Sequence, residues 1–273
     1  MMRRTNLRQL YHALLAGSLV MTAIVAPAVT PAKPDPAIVK ALADTRRSEA
    51  NRARDAYRHP AETLAFFDVH PGQTVAEFYP GGGWYTEVLA PVLKDKGRYV
   101  AIPPASEKGL AAFNKMAEEK KAWIGTPLVA PFSATAASTI APGSVDRVLT
   151  FRNVHNLIMA GDATVAKAFG DFHAALKPGG ILGVVDHRLP EDKDSALEKS
   201  SGYIKKSTVI RYAEAAGFKY VGESPVNANP KDTHDWPEGV WTLPPTYQLG
   251  DVDRAKYAAV GESDRFTLKF VKR

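Results

Sequence analysis

The stretch Val75–Thr86, VAEFYPGGGWYT, decides the fold, because it joins a strand pattern to three consecutive glycines and then to a helix pattern. Thr74–Phe78 is a short apolar strand pattern that follows a Pro-Gly turn, and the helix is predicted over Trp84–Leu93. Glycines permit positive φ angles and let the main chain approach a ligand closely. Glu77 lies at the strand end, where a carboxylate can accept hydrogen bonds from a ligand. A tight turn without a ligand has the same pattern, so the surrounding sequence has to decide.

Strand and helix patterns alternate on both sides of this stretch. Further strands are predicted over Gly97–Ile102, Pro127–Phe132, Ser144–Phe151, Ile181–Asp186, Phe218–Ser224 and Arg265–Val271. Further helices are predicted over Ala61–Phe67, Ser106–Ala122, Ala163–Leu176 and Ser207–Ala216. This alternation predicts one α/β domain with a mostly parallel sheet and helices on both faces. Ligands of such folds bind beyond the carboxyl ends of the strands.

Composition excludes several classes of protein. The 273 residues are 45% hydrophobic and 23% charged, which is unlike a disordered chain, a collagen or a polytopic membrane protein. There is no cysteine, which excludes disulfides and thiolate chemistry. Outside the first 28 residues, basic and acidic side chains are interspersed despite the formal net charge of +6, so no nucleic-acid partner is predicted.

Residues 1–28 have the layout of a secretory signal peptide. Met1–Arg8 is basic, Ala13–Val25 is apolar, and Ala26-Pro27-Ala28 offers small residues for cleavage. The apolar run is shorter than the roughly 20 residues of a transmembrane helix. A periplasmic or secreted protein without a stable membrane anchor after cleavage is therefore expected. A buried helix and an uncleaved anchor are the alternatives.

A linker and an N-terminal helix are predicted over residues 29–60, before a domain over residues 61–273. Three prolines in residues 29–37 indicate an extended linker, and Ile38–Tyr57 has a helical pattern. This region carries Arg46, Arg47, Arg52, Arg54 and Arg58. These arginines form either a solvated helix face or a lid over an anionic ligand.

Several landmarks together resemble the class I S-adenosylmethionine-dependent methyltransferases. Val75–Thr86 resembles the first motif of that family, and Val145–Val154 (VDRVLTFRNV) its fourth-strand motif. Ala175–Val185 (ALKPGGILGVV) resembles the fifth-strand motif, and Ala215–Phe218 the turn before the sixth strand. The resemblance covers roughly residues 60–271. More narrowly, Gly81–Tyr85 (GGGWY) and Thr267–Lys272 resemble a bacterial group of exported methyltransferase-like proteins. It implies a Rossmann-like, seven-stranded sheet with an antiparallel last strand.

The resemblance also implies a cofactor, S-adenosylmethionine, and residues that would bind it. Gly81, Gly82 and Gly83 would hold its amino-acid portion, Glu77 would belong to the same site, and Asn153 would line the space shared with the substrate. Tyr79, Trp84 and Tyr85 either form an aromatic wall against the sulfonium or pack against the N-terminal helices. The chain departs from the family at Tyr79, which replaces a glycine. It also departs after the second strand, where Ile102-Pro103-Pro104 replaces an acid and Glu107 is the nearest carboxylate.

Two histidines are candidate catalytic bases, because each follows a strand that ends on the ligand side of the sheet. His155 follows the fourth strand, and His187 follows the fifth, next to Asp186. Structural histidines with hydrogen bonds are the alternative for both. The polar loop Asn227–Asp235 matches no metal motif, and no metal is predicted. Asp264-Arg265 indicates either a salt-bridged turn or a substrate anchor.

The function expected from these features is methyl transfer from S-adenosylmethionine to a small molecule by an exported protein. An exported binding protein without catalysis, or an enzyme of other chemistry on the same fold, is the alternative. The acceptor and the oligomeric state are not predicted.

Overall fold

The computed structural model describes residues 33–273, so the predicted signal peptide and most of the linker lie outside the described residues. Within residues 33–273, no helix combines the length and the apolar character that a membrane crossing requires.

The strands and helices alternate as the sequence pattern predicts. The strands are β1 (Thr74–Phe78), β2 (Arg98–Ile102), β3 (Leu128–Val129), β4 (Val145–Phe151), β5 (Leu176–Leu189), β6 (Ile204–Lys205), β7 (Phe218–Ser224) and β8 (Arg265–Lys272). The helices are α1 (Pro36–Leu42), α2 (Glu49–Arg52), α3 (Asp55–Arg58), α4 (Pro60–Phe66), α5 (Thr86–Leu93), α6 (Glu107–Glu119), α7 (Lys121–Ile124), α8 (Val154–Ala160), α9 (Asp162–Ala175), α10 (Lys206–Ala215) and α11 (Arg254–Val260). Short 3-10 helices cover Ser195–Lys199, Pro225–Asn227 and Gly239–Thr242.

The sheet has the order β3-β2-β1-β4-β5-β8-β7, and the short strand β6 pairs with β5 outside this path. Strands β1 to β5 pair in parallel, whereas β8 is antiparallel to both of its neighbours. The predicted Rossmann-like sheet of seven strands with an antiparallel last strand is confirmed, with β6 added. The carboxyl ends of β1, β4 and β5 therefore lie side by side.

The hydrophobic core lies on both faces of the sheet. Alternate residues of β1 separate the two faces: Ala76 and Phe78 pack with α8 and α9, and Val75 packs with α1, α4 and α5. Ile38 of α1 is fully buried in the second of these clusters. The N-terminal helices are therefore packed against the sheet domain.

The single helix predicted over Ile38–Tyr57 is wrong, because this region forms α1, α2 and α3 with turns between them. The side chain of Arg47 explains the first break: its Nη1 donates to the carbonyl of Leu42 at 3.2 Å and to Asp55 at 2.6 Å. Arg47 is 1% exposed, so the chain bends to bury a cation that a straight helix would leave in solvent. Ser48 then begins α2 by accepting from the Asn51 amide.

Other element boundaries differ from the predictions in smaller ways. The helix predicted over Ser106–Ala122 is divided into α6 and α7, and the fifth strand begins earlier, at Leu176. The third strand is shorter than predicted, and the sequence analysis missed α8 and α11.

Candidate active site

The glycine turn leaves β1 at the carboxyl edge of the sheet. Gly81 and Gly83 have φ angles of 56° and 83°, which glycine adopts without strain. Gly81 and Gly82 are exposed, and a Cβ atom at either position would meet no atom within 4 Å. At Gly83 a Cβ atom would lie 3.0 Å from the side chain of Met116. Open space therefore lies over the first two glycines.

Tyr79 fills space beside this turn with its ring. It stacks on Phe78 with ring centroids 4.0 Å apart and meets the edge of Phe132 at 6.1 Å. Its φ angle of 50° lies in the left-handed region that favours glycine. Packing of the ring thus holds a backbone conformation that a tyrosine adopts at a cost of about 1–3 kcal/mol.

The other two aromatic residues of the turn, Trp84 and Tyr85, are buried. The indole Nε1 of Trp84 donates to the carbonyl of Asn51 at 2.8 Å. The ring of Tyr85 stacks on Phe151 with centroids 3.6 Å apart. The first contact corresponds to the predicted alternative of packing against the N-terminal helices, and the second joins the turn to β4.

Glu77 is 3% exposed and lies between β1, β2 and α5. Its Oε2 accepts hydrogen bonds from the hydroxyls of Tyr99 at 2.5 Å and Thr86 at 3.0 Å. Burial raises the pKa of Glu77 to about 7, although the two hydroxyls oppose the shift. Because its partners are protein hydroxyls, its assignment to the cofactor site stays a prediction.

Asn153 connects the glycine turn to β4. It precedes α8, and its Nδ2 donates to the carbonyls of Phe78 at 3.0 Å and Tyr79 at 3.3 Å. The amide therefore fixes the start of the turn relative to the start of α8, two residues before His155.

His155 and His187 lie next to each other with Asp186 between them. Their ring centroids are 5.0 Å apart, and all three residues are buried. The Nδ1 of His155 lies 2.7 Å from Oδ1 of Asp186, which also accepts from the amide of His187. Oδ2 of Asp186 accepts from the amides of Val154 and His155. The ionised carboxylate can only accept, so Nδ1 of His155 carries a proton, and in the neutral form of the ring Nε2 is the acceptor.

His187 is held by the loop before β8. Its Nδ1 lies 2.5 Å from the hydroxyl of Ser263. Burial, assisted by His155 and Arg152 nearby, lowers the pKa of His187 well below its ordinary value. His187 is thus a neutral ring, and the structure brings both predicted histidines to one place at the ends of β4 and β5.

This trio also offers one ligand atom each within 4.8 Å of one another, which is close enough for a metal ion. Asp186, however, already receives four N–H donors from protein groups. A metal would have to displace the His155 contact, so orientation of His155 is the better use of this carboxylate.

A cluster of arginines lies beside His187, and sequence analysis missed much of it. Glu262 accepts from Nε of Arg54 at 2.7 Å, Nε of Arg58 at 3.0 Å and Nη1 of Arg265 at 3.1 Å. Burial opposes the ionisation of Glu262, but the surrounding guanidinium groups outweigh it and lower its pKa to about 2. Arg152, which follows β4, is a fourth cation close to Glu262.

Asp264 and Arg265 both form salt bridges at the turn before β8, which corresponds to the predicted alternative of a salt-bridged turn. Arg265 pairs with Glu262, whereas Asp264 pairs with Arg188 at 3.0 Å. The signal that could have found Arg152 is its position: it directly follows a strand whose carboxyl end faces the ligand side.

Arg152 has a strained backbone. Its φ angle is 62°, and its amide donates to the carbonyl of Val185 at 2.7 Å. A non-glycine residue in this region is unusual, and such strain is concentrated at functional sites. Its guanidinium has no hydrogen-bond partner among residues 33–273.

A small cavity of about 10 Å³, with room for about one water molecule, lies in this cluster and is partly open to solvent; it is lined by Arg58, Tyr85, Phe151, Arg152, Val185, Asn227 and Arg265. A larger cavity of about 320 Å³ lies near Pro71 and Lys94, which precede β1 and β2. The larger one opens at the amino edge of the sheet, away from the histidines. The small cavity lies at the ends of β4 and β5, and neither histidine is among its lining residues.

No family model matches this sequence, and no curated protein matches it either. Solved structures do share its architecture. An S-adenosylmethionine-dependent methyltransferase from Aquifex aeolicus superposes with a TM-score of 0.56 and 18% identity, over 88% of this chain and 99% of the other. The chain has the methyltransferase fold.

Two further structures have the same architecture. The cyclase SpnF superposes with a TM-score of 0.54 and 17% identity, over 84% of this chain and 85% of its own. An S-adenosylmethionine-dependent methyltransferase from Methanosarcina mazei gives 0.51 and 11%, over 77% and 96%. At such identities the likeness establishes the fold, and chemistry has to be argued from the site.

Proposed function

We propose that this protein is an S-adenosylmethionine-dependent methyltransferase acting on a small-molecule acceptor. The observation that carries the proposal is the His155–Asp186 pair at the ends of β4 and β5, tied through Asn153 to an exposed glycine turn. The solved methyltransferases of the same fold support it.

The residues fit the amino-acid end of S-adenosylmethionine. Gly81 and Gly82 are exposed and have open space over them, so main-chain groups there can meet a ligand. The ribose end has less support, because Ile102 is followed by two prolines and Glu107 is exposed at the start of α6. When bound, the cofactor supplies an electrophilic methyl group.

The residues of the chain position the reacting groups and provide a general base. Asp186 keeps the proton of His155 on Nδ1, so Nε2 can take a proton from the acceptor's attacking group. His187 stays neutral, so it adds no repulsion to a protonated His155. Phe151, Tyr85 and Val185 are the apolar part of the lining of the small cavity at the ends of β4 and β5.

Calorimetric titration with S-adenosylmethionine tests the cofactor assignment, with Gly82→Val as the blocking variant. A Cβ atom at Gly82 would meet no atom within 4 Å, and φ at this position is not left-handed, so a valine side chain can extend into the open space. Gly72→Val is the matched control, because Gly72 has the same freedom and lies before β1. We expect binding to the wild type and the control, and loss in Gly82→Val. Absence of heat at millimolar cofactor with the wild type rejects the proposal.

An exported binding protein without catalysis is the second candidate. Tyr79, whose ring packs beside the turn, and the absence of an acid after β2 both favour it. A methyl-transfer assay on pooled small-molecule extracts, using cofactor with a labelled methyl group, separates the two. Transfer that disappears in His155→Ala supports catalysis, whereas cofactor binding without any transfer supports the binding protein.

Export to the periplasm is part of the proposal, and the pattern of residues 1–28 supports it. Mass spectrometry of the protein from fractionated cells should find a periplasmic form that begins near residue 29. A cytoplasmic protein that keeps residues 1–28 would contradict export.

A further inference from the structure

The arginine cluster contains more positive charge than its own carboxylate neutralises. Glu262 is the carboxylate shared by Arg54, Arg58, Arg152 and Arg265. With Asp186, the other acid close to Arg152, two carboxylates face four guanidinium groups. Burying cations without a counter-charge is costly, so a folded protein keeps them where a ligand completes the balance.

Some guanidinium N–H groups of the arginine cluster have no hydrogen-bond acceptor among the described residues. Nη2 of Arg58 is buried and has no partner within the described chain, although Arg58 is only 4% exposed. Nη2 of Arg54 is also buried and has no hydrogen-bond partner within the described chain. Arg58 and Arg152 both line the small cavity. Glu262 and Asp186 favour the charged form of Arg152, but neither forms an ion pair with its guanidinium in the described part of the chain.

The fold holds these donors in position before any ligand arrives. Arg58 packs on the ring of Trp84 at 4.7 Å, and Nη2 of Arg265 donates to the carbonyl of Tyr57 at 2.6 Å. The main chain of the strained residue Arg152 is held by the hydrogen bond from its amide to the carbonyl of Val185. Fixed guanidinium groups of this kind bind carboxylate or phosphate through paired N–H groups.

We propose that the cavity between Arg58, Arg152 and Arg265 binds a carboxylate or phosphate group carried by the methyl acceptor. The assignment to an acceptor rests on the proposed function, whereas the anion site stands without it. The cavity also reaches Asn227, whose buried Oδ1 has no partner within residues 33–273 and can accept from a hydroxyl or amine on the same ligand. His187 pairs in register with Arg265, so the anion lies beside the two histidines. A second cavity, of about 180 Å³, shares Asn227 and Arg265 and offers room for the rest of the ligand.

Anion binding is measured without cofactor, by calorimetry and thermal unfolding, with inorganic phosphate, succinate and citrate as probes. Sodium chloride at equal ionic strength controls for screening. We expect saturable binding of at least one probe and a rise in the unfolding temperature. Arg152→Met should weaken that binding about tenfold or more, and Arg98→Met, at the exposed start of β2, should leave it unchanged.

The same variants separate an anion site from a structural ion cluster. Because the cluster holds an excess of cations, removing Arg152 should raise the unfolding temperature of the ligand-free protein. If Arg152 had only a structural role, its removal would lower that temperature. Arg58→Lys keeps the charge but loses the second nitrogen, so it should fold and bind more weakly. If no probe binds saturably, or if Arg152→Met binds like the wild type, the anion site is rejected.

Competition with S-adenosylmethionine identifies the source of the anion. If the probe and the cofactor bind together, the anion belongs to the acceptor. If the cofactor displaces the probe and Arg152→Met weakens both equally, the cluster holds the cofactor's own carboxylate and the acceptor assignment is overturned. A protein that binds the anion but never the cofactor would reject the proposed function and leave the anion site intact.

Discussion

Replacement of Glu262 by glutamine should destabilise the protein strongly and with a defined pH dependence. The carboxylate is 4% exposed and accepts from three guanidinium groups at 2.7–3.1 Å. A pKa lowered from 4.5 to about 2 corresponds to about 3 kcal/mol of folding free energy. Because the folded pKa lies below the unfolded value, this stability is fully present above about pH 5 and is lost as the pH falls toward 2.

Denaturant and thermal unfolding in chloride buffers measure the effect. At pH 7 we expect Glu262→Gln to lose about 3 kcal/mol, or roughly 6–12 °C in unfolding temperature. At pH 3 the loss should shrink to about 1 kcal/mol. Glu118→Gln, an exposed acid on α6, is the control and should change stability by less than about 0.5 kcal/mol. A loss below about 1 kcal/mol at pH 7, or an equal loss at both pH values, refutes the argument that this carboxylate neutralises the cluster.

Three further predictions follow from the site. Burial raises the pKa of Glu77 to about 7, so the free energy of unfolding should fall as the pH rises through 7. In denaturant unfolding, Glu77→Gln should gain up to about 3 kcal/mol over the wild type between pH 5 and 8. Parallel plots of unfolding free energy against pH for the two proteins would contradict this. Arg152→Gly should be about 1 kcal/mol more stable than Arg152→Ala, because only glycine relieves the φ angle of 62°; equal unfolding midpoints would show that the strain is absent. Asp186→Asn should lower kcat about 10²–10⁴-fold in a methyl-transfer assay with little change in cofactor affinity, and retained kcat would remove His155 as the base.

The sheet could be predicted because its signals are local. Thr74–Phe78 and Phe218–Ser224 were placed at the observed bounds from short apolar runs between turn residues. The order of strands came from the resemblance, since periodicity alone does not say which strands are neighbours. The helix prediction for the N-terminal region was wrong for a physical reason. The break after α1 depends on the contact between Arg47 and Asp55, which residue periodicity does not reveal.

The candidate site was predictable in its histidines and much less in its charges. His155 and His187 follow strands, and parallel strands bring such residues to one edge. Glu262 gave no sequence signal, because its partners Arg54 and Arg58 lie more than 200 residues away in the chain. For Tyr79, the sequence showed that it departs from the family's glycine pattern. The stacking on Phe78 that holds its ring could be seen only in the structure.

The placement of β8 affects how the chain is made. Strand β8 is translated after β5 and β7 but lies between them in the sheet, and the loop that precedes it carries Glu262. Until β8 is translated, β5 and β7 have no common neighbour, and until the loop is translated Arg54 and Arg58 lack the carboxylate of Glu262. Nascent chains stalled before Glu262 should therefore be digested quickly by added protease, and a premature stop codon there should yield a degraded polypeptide instead of a weakened protein.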